Sequence, residues 1–355
     1  MNKLFKLSIL TKVLLSFGFF IFSSNYIFPQ VADSISVINE IKLEELSPGT
    51  KTNFWLTVAE DGLGQKINVP LIILKGESDG PVLTINAAIH GNELNGIAVI
   101  HHIINSINPK ELNGSIIAIP IINVPAYHNN NRLFPDQTDL NRTMPGKING
   151  NESQFYAYQI LEKIKTISEY VIDLHTASFG RINTHYVRTD MQDAVLAKMA
   201  EIQNPKIILN SKTASTADGS GTLRSALAVH GIKCITVELG NPQVIQDEMK
   251  QAGIVGIHNT LAFLKMNNNH VIAPRQPIVR CTKSYWIYTD AGGILEVIPN
   301  INQSIEKGQK IAELTDAFGN IKKTYYAPEK GIVIGKSSNP VSPSGARILH
   351  LGILE

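Results

Sequence analysis

The sequence predicts an α/β fold, a sheet flanked by helices, with a small all-β domain at its carboxy-terminal end. Short apolar runs of strand character recur at residues 82–89, 115–124, 170–174 and 233–240, as expected of strands covered on both faces. Segments with helical apolar spacing alternate with them, at 97–107, 152–167 and 247–265. From about residue 271 the pattern changes to closely spaced short strands and turns, which suggests a barrel or sandwich of about eighty residues.

Taken in order, residues 31–74 read as strands and turns leading into the sheet, with strands at 52–59 and 69–74. The stretch VLTINAAIHGNELNG, residues 82–96, is the one around which the chain is organised. Its apolar run ends in His90, and a Gly-Asn step leads to Glu93 and then to a helix. An imidazole and a carboxylate therefore stand at the carboxyl end of a buried strand, where open α/β sheets bind ligands. His-x-x-Glu also opens zinc sites whose third ligand comes from far along the chain. Alone, the pair is more often a strand-end histidine beside a solvated glutamate. His101 and His102 read as helix residues, one facing the sheet and one facing water. Residues 115–124 form the next strand, with Pro125 as its stop.

Residues 127–146 form an irregular polar segment of a length that in compact domains is often functional. It carries Arg132, Asp139, Asn141 and Arg142; the two arginines and the asparagine have planar donors that suit carboxylate and carbonyl oxygens, though a solvated surface loop has the same composition. His175 ends the strand beginning at residue 170. Asp173 lies two residues before it on the same face, and serves equally well as a buried carboxylate bound to backbone or as part of a metal site. Strands at 185–188 and 206–209 bracket a helix around 193–203, and a loop at 213–222 precedes a helix at 223–229 that carries Arg224. Ser220 is not in a Gly-x-Ser-x-Gly arrangement, which argues against a nucleophile elbow. The run KCITVELG then places Glu238 near the end of another buried strand, a costly position for a carboxylate that is neither paired nor functional.

At 355 residues, 43% hydrophobic and 17% charged, the chain can bury a large core and shows no sign of global disorder. Lys3, Lys6 and Lys12 precede an apolar run at 13–22, which reads as a signal peptide or an uncleaved amino-terminal anchor over residues 1–30. The expectation is an exported protein, periplasmic or secreted. Without those three lysines the 32 basic residues become 29 against 30 acidic ones, and no basic run suggests a nucleic-acid partner. Cys234 and Cys281 are expected to be two separate buried thiols.

Four motifs, HGNELNG, NRLFPDQTDLNRTMPG, DLHTAS and GIKCITVELG, resemble in order those of the succinylglutamate desuccinylase and aspartoacylase group, relatives of the zinc carboxypeptidases. The resemblance covers about residues 50–265 and implies a zinc-carboxypeptidase-like mixed sheet within a catalytic domain at 31–270. The segment at 271–355 is similar to the carboxy-terminal β domain of bacterial members, itself lipoyl-like in pattern. No lysine sits in a Met-Lys-Met hairpin, so no carried biotin or lipoyl group is expected. The resemblance further implies one zinc ion per chain on His90, Glu93 and His175, with Glu238 as catalytic carboxylate and Arg132 polarising the scissile carbonyl. Asn141 and Arg142 would hold a substrate carboxylate, and Asp139 would bond the far nitrogen of a ligand histidine. Arg224 lies near a substrate-contacting arginine of the family, at a spacing from Glu238 that differs from aspartoacylase. The expected activity is hydrolysis of the amide bond of an N-acyl amino acid, the alternative being a carboxypeptidase acting on short peptides, including cell-wall peptides. The β domain fits either a lid over the pocket or a contact in a homo-oligomer.

Overall fold

The structure, a computed structural model, describes residues 35–211 and 221–355. The expected signal segment and the loop residue Ser220 lie outside the described residues.

Strands β1 (Ser36–Ile38), β2 (Thr50–Glu60) and β3 (Lys66–Lys75) build one flank of the sheet. They are followed by β4 (Ser78–Ala87), α1 (Asn95–Ser106), β5 (Asn113–Ile119), α2 (Val124–His128), α3 (Glu152–Lys165) and β6 (Tyr170–His175). Next come β7 (Arg181–Asn183), β8 (Tyr186–Thr189), α4 (Ala194–Glu201), β9 (Ile207–Asn210), α5 (Leu223–Val229), β10 (Lys233–Glu238) and α6 (Asp247–Phe263). The last eight strands contain no helix: β11 (Val279–Tyr288), β12 (Gly293–Val297), β13 (Ser304–Ile305), β14 (Lys310–Thr315), β15 (Ile321–Tyr326), β16 (Gly331–Ser337), β17 (Val341–Ser342) and β18 (Arg347–Leu354).

The main sheet runs β1-β2-β3-β5-β4-β6-β10-β8-β9-β11-β18-β16-β13. At its centre β4, β6 and β10 are parallel neighbours, so their carboxyl ends open on the same edge. Leu83, Ile85 and Ala87 of β4 alternate toward α1 and α6, while Val171 of β6 and Cys234 of β10 face the layer of α3 and α5. Burial on both faces is why these strands read as near-continuous apolar runs. Strand β11 pairs in parallel with β9, and the sheet passes without a break into the carboxy-terminal strands. There β15, β14, β12 and β17 form a second, antiparallel sheet. Cys234 and Cys281 are separate buried thiols.

Two local expectations are corrected. His101 and His102 are both exposed, because the buried face of α1 is Val99, Ile100, Ile103 and Ile104 and neither imidazole shares it. The strand expected at 115–124 ends at Ile119, and Asn123 caps α2 with Pro125 in its first turn. Proline there starts a helix, since its missing N–H is one that no helical carbonyl would have accepted.

His185, the residue before β8, is 5% exposed and its Nε2 has no hydrogen-bond partner. Burial, aided by the charge of Lys206, pushes its pKa down to about 4. Above pH 6.5 the group is neutral in both folded and unfolded chains. Between 6.5 and about 4 only the unfolded chain takes up the proton, so stability falls as the pH falls. His185→Gln is therefore expected to remove about 2–3 kcal/mol of the stability difference between pH 7 and pH 4.5. Urea unfolding of both proteins at the two pH values measures it. An undiminished difference in the variant would show that the acid sensitivity lies elsewhere.

Candidate active site

The three parallel strand ends supply the site. The loop after β4 carries His90 and Glu93, β6 ends at His175, and β10 ends at Glu238, directly across from His175 in the register. The loop after β4 is tightly held. Ala88 adopts a left-handed φ of 55°, an uncommon conformation for a residue with a side chain, and the following loop is tied by Asn123 Nδ2 donating to the Ile89 carbonyl at 2.9 Å. Gly91 is required by close approach, because a Cβ there would lie 2.1 Å from the backbone of Ala126 in α2. Asn95 joins this loop to the end of β10 through the Leu239 carbonyl at 2.7 Å.

His90, Glu93 and His175 each offer a ligand atom, all within 4.8 Å of one another and all buried. Both imidazoles present Nδ1 to Glu93, at 2.9 Å in each case. Both have Nε2 held by a carboxylate, His90 by Asp139 Oδ1 at 3.0 Å and His175 by Asp173 Oδ2 at 2.9 Å. A carboxylate on the far nitrogen fixes the tautomer of a metal-binding histidine and raises its basicity. Around His90 Nδ1 lie Glu93 Oε1 at 2.9 Å, which only accepts, and Arg132 Nη1 at 3.2 Å, which only donates. The donor set of two nitrogens and a carboxylate suits zinc with an open fourth position.

The electrostatics agree. Against the burial that would raise it, His90 and the hydrogen bond from His175 hold the Glu93 carboxyl well below the usual carboxylate range. Burial would likewise disfavour a charged His175, but Asp173 and Glu93 hold its pKa well above the ordinary histidine value. Two buried carboxylates thus stabilise positive charge at this point. Glu93 also accepts from Thr176 N–H at 3.1 Å and from the Ser178 hydroxyl at 2.5 Å.

Arg132 reaches into the centre, with Nη1 3.1 Å from Glu93 Oε1 and Nη2 donating to Asp139 Oδ2 at 2.8 Å; Nη1 also contacts Ser178 Oγ. Asn141 lies beside the His175 ring, its Oδ1 accepting from Leu223 N–H at 2.8 Å. Arg142 donates to the Asn141 carbonyl at 2.7 Å. Arg224, on α5, is buried and held by the Ser211 carbonyl and hydroxyl, each at 3.0 Å. Glu238 accepts from Asn183 Nδ2 at 3.2 Å. All of these line one cavity of about 620 Å³.

The same cavity is lined by residues that sequence reasoning gave no role: Arg181, Asn183, Tyr186 and Arg188 from β7 and β8, with Trp286 and His350 from the carboxy-terminal strands. The alternation of Arg181 with Asn183 and of Tyr186 with Arg188 was a weak signal of a strand facing a polar site. Trp286 and His350 stack at 5.2 Å, the guanidinium of Arg347 lies over the indole at 5.6 Å, and Ser284 Oγ is 2.8 Å from His350 Nε2. Burial, together with Arg188 and Arg181, keeps His350 neutral, its pKa well below the ordinary value.

Comparison with known proteins agrees with this architecture. The chain is 21% identical over 283 residues to an N-alpha-acetyl-L-2,4-diaminobutyric acid deacetylase of Halomonas elongata, across 78% of this chain and 82% of that protein. A product-bound ectoine utilization protein of Ruegeria pomeroyi superposes with a TM-score of 0.78 at 18% identity, covering 88% of this chain and 97% of that one. A succinylglutamate desuccinylase/aspartoacylase of Rhodobacter sphaeroides gives the same TM-score and identity, over 89% and 99% of the two chains. The model of the succinylglutamate desuccinylase/aspartoacylase catalytic domain matches residues 79–264, just over half of the sequence, and the chain belongs to that family.

Proposed function

We propose that this protein is a zinc-dependent deacylase that hydrolyses the amide bond of an N-acyl amino acid. The observation that carries the proposal is the pair of histidines turned by Asp139 and Asp173 so that both Nδ1 atoms meet Glu93 at the floor of an open cavity. Zinc held there supplies Lewis acidity, polarising a carbonyl and acidifying water. Glu238 takes the proton of the attacking water and returns it to the departing amine nitrogen. Arg132 donates to the carbonyl oxygen as negative charge grows on it. Asn141 orients the His175 side of the site, and Arg142 binds the substrate α-carboxylate.

The cavity wall speaks to the substrate. Arg132, Arg142, Arg181, Arg188, Arg224 and Arg347 all line it, and among the described residues only Arg132 of these six is ion-paired. Guanidinium groups gathered in a cleft without carboxylate partners favour an anionic ligand. An N-acyl amino acid with a second carboxylate suits this wall, and a basic side chain is repelled by it. Purified protein incubated with N-acyl derivatives of acidic, neutral and basic amino acids, with amine release followed, is expected to rank them in that order by kcat/KM, at least about tenfold between the ends of the series. Amine release from short peptides but from no N-acyl amino acid would replace the deacylase with a carboxypeptidase.

Arg142→Ala is expected to raise KM about 10- to 100-fold and to change kcat little, since a carboxylate remote from the scissile bond is held alike in ground and transition states. Steady-state kinetics on the best substrate measure it. An unchanged KM would remove Arg142 from the carboxylate site.

A further inference from the structure

We infer that the carboxy-terminal strands are part of the catalytic machinery: β16 holds Asn183 where its side-chain amide fixes the orientation of the Glu238 carboxylate. The inference rests on Glu238 being the proton-transferring carboxylate proposed above. It gives the carboxy-terminal region a role apart from that of a lid or an oligomer contact.

Strand β7 has three residues and, among the described strands, pairs with β16 only. So short a strand does not hold itself in place. Its register on β16 sets Arg181 opposite Ser337, Ile182 opposite Lys336 and Asn183 opposite Gly335. The pairing extends past both ends, with Ser338 N–H donating to the Gly180 carbonyl at 2.9 Å and Thr184 N–H to the Ile334 carbonyl at 3.0 Å. The segment that carries Asn183 is therefore positioned by residues more than 150 places further along the chain.

Asn183 is 8% exposed, and its Nδ2 donates to Glu238 Oε2 at 3.2 Å. A carboxylate only accepts, so the amide must turn its nitrogen toward Glu238. That leaves Oδ1 buried without a partner, facing Gly335. A Cβ on residue 335 would come within 2.2 Å of that oxygen, so glycine is needed there for the amide to lie as it does. Tyr186 stands opposite Glu238 in the β8–β10 register. Arg188 Nη2 donates to the Tyr186 hydroxyl at 3.1 Å. The hydrogen bond that holds the Glu238 carboxylate is thus the one from the amide carried by β7, with Tyr186 of β8 beside it in the register. Proton transfer depends on such placement, where an error of about 1 Å costs about 100-fold in rate.

Asn183 is a positioning residue, and its loss is expected to fall on kcat. Asn183→Ala should lower kcat about 10- to 100-fold, with KM within about threefold of wild type and zinc content unchanged. Gly335→Ala should lower kcat similarly by displacing the amide. In the Asn183→Ala background the Oδ1 collision is gone and only the Ile182 carbonyl, 2.8 Å from the added Cβ, remains, so Gly335→Ala should cost less there than in wild type, the two changes being coupled. A kcat for Asn183→Ala within threefold of wild type, or a Gly335→Ala penalty equal in both backgrounds, would overturn the inference.

Should wild-type protein prove inactive on every N-acyl amino acid and peptide, the deacylase proposal fails. Crystal structures of wild type and Asn183→Ala then decide the positioning claim without a substrate. A Glu238 side chain that leaves its wild-type rotamer in the variant supports the claim, and one that stays overturns it. The same pair of structures settles the matter if Gly335→Ala does not fold.

Discussion

Replacing Glu238 by glutamine is expected to lower kcat by about 10²- to 10⁴-fold while zinc content and KM stay close to wild type. Glutamine has the shape of glutamate, and its amide oxygen accepts the same hydrogen bond that Asn183 Nδ2 now gives the carboxylate at 3.2 Å. Basicity is thus removed with little change in placement. Glu238 stands across from His175 at the end of the neighbouring parallel strand and lines the same cavity, without being one of the three groups that meet at the centre. A metal ligand would lose the ion when substituted, whereas a proton-transfer group loses only rate. Steady-state kinetics beside metal analysis of the same preparation separate the two. Activity above about a tenth of wild type would take the proton transfer away from Glu238.

Much of the centre was legible because the chemistry sits where chain periodicity changes. The runs at 82–89, 170–174 and 233–240 are apolar on both faces, and the polar residues that interrupt them, His90, His175 and Glu238, stand at their carboxyl ends. Once β4, β6 and β10 lie side by side and parallel, convergence follows from topology. What was not legible depends on pairing at long range. Three residues of β7 carry no period of their own and become a strand only on β16. Trp286 and His350 reach the cavity because β11 joins β9 and β18 joins β11, a register that no local pattern announces. The misassigned strand before Pro125 has a different cause. Residues 120–124 are as apolar as the strand before them, and the turn to a helix is set by Asn123 capping the Ala126 N–H at 3.1 Å.

His175→Ala is expected to abolish both metal binding and activity, and to cost about 3–5 kcal/mol of stability. The two effects share one origin. Asp173 is fully buried, with Oδ1 accepting from Asn86 at 2.6 Å and Oδ2 bonded to His175, and Glu93 is 2% exposed with Oε2 against the same imidazole. Removing the ring takes the imidazole from both buried carboxylates, leaving Glu93 its Arg132 contact at 3.1 Å and Asp173 only the Asn86 amide, so the loss exceeds that of the ring's own packing. Asp173→Asn makes the argument specific. It keeps a side chain of the same size beside His175 but withdraws the charge that orients the ring, and is expected to weaken zinc binding about 10- to 100-fold without abolishing it. Zinc titration against a chromophoric chelator and urea unfolding of metal-depleted protein read the two quantities apart. If His175→Ala still bound one equivalent of zinc as tightly as wild type, His175 would not be a ligand, and the two-histidine, one-glutamate centre would have to be abandoned.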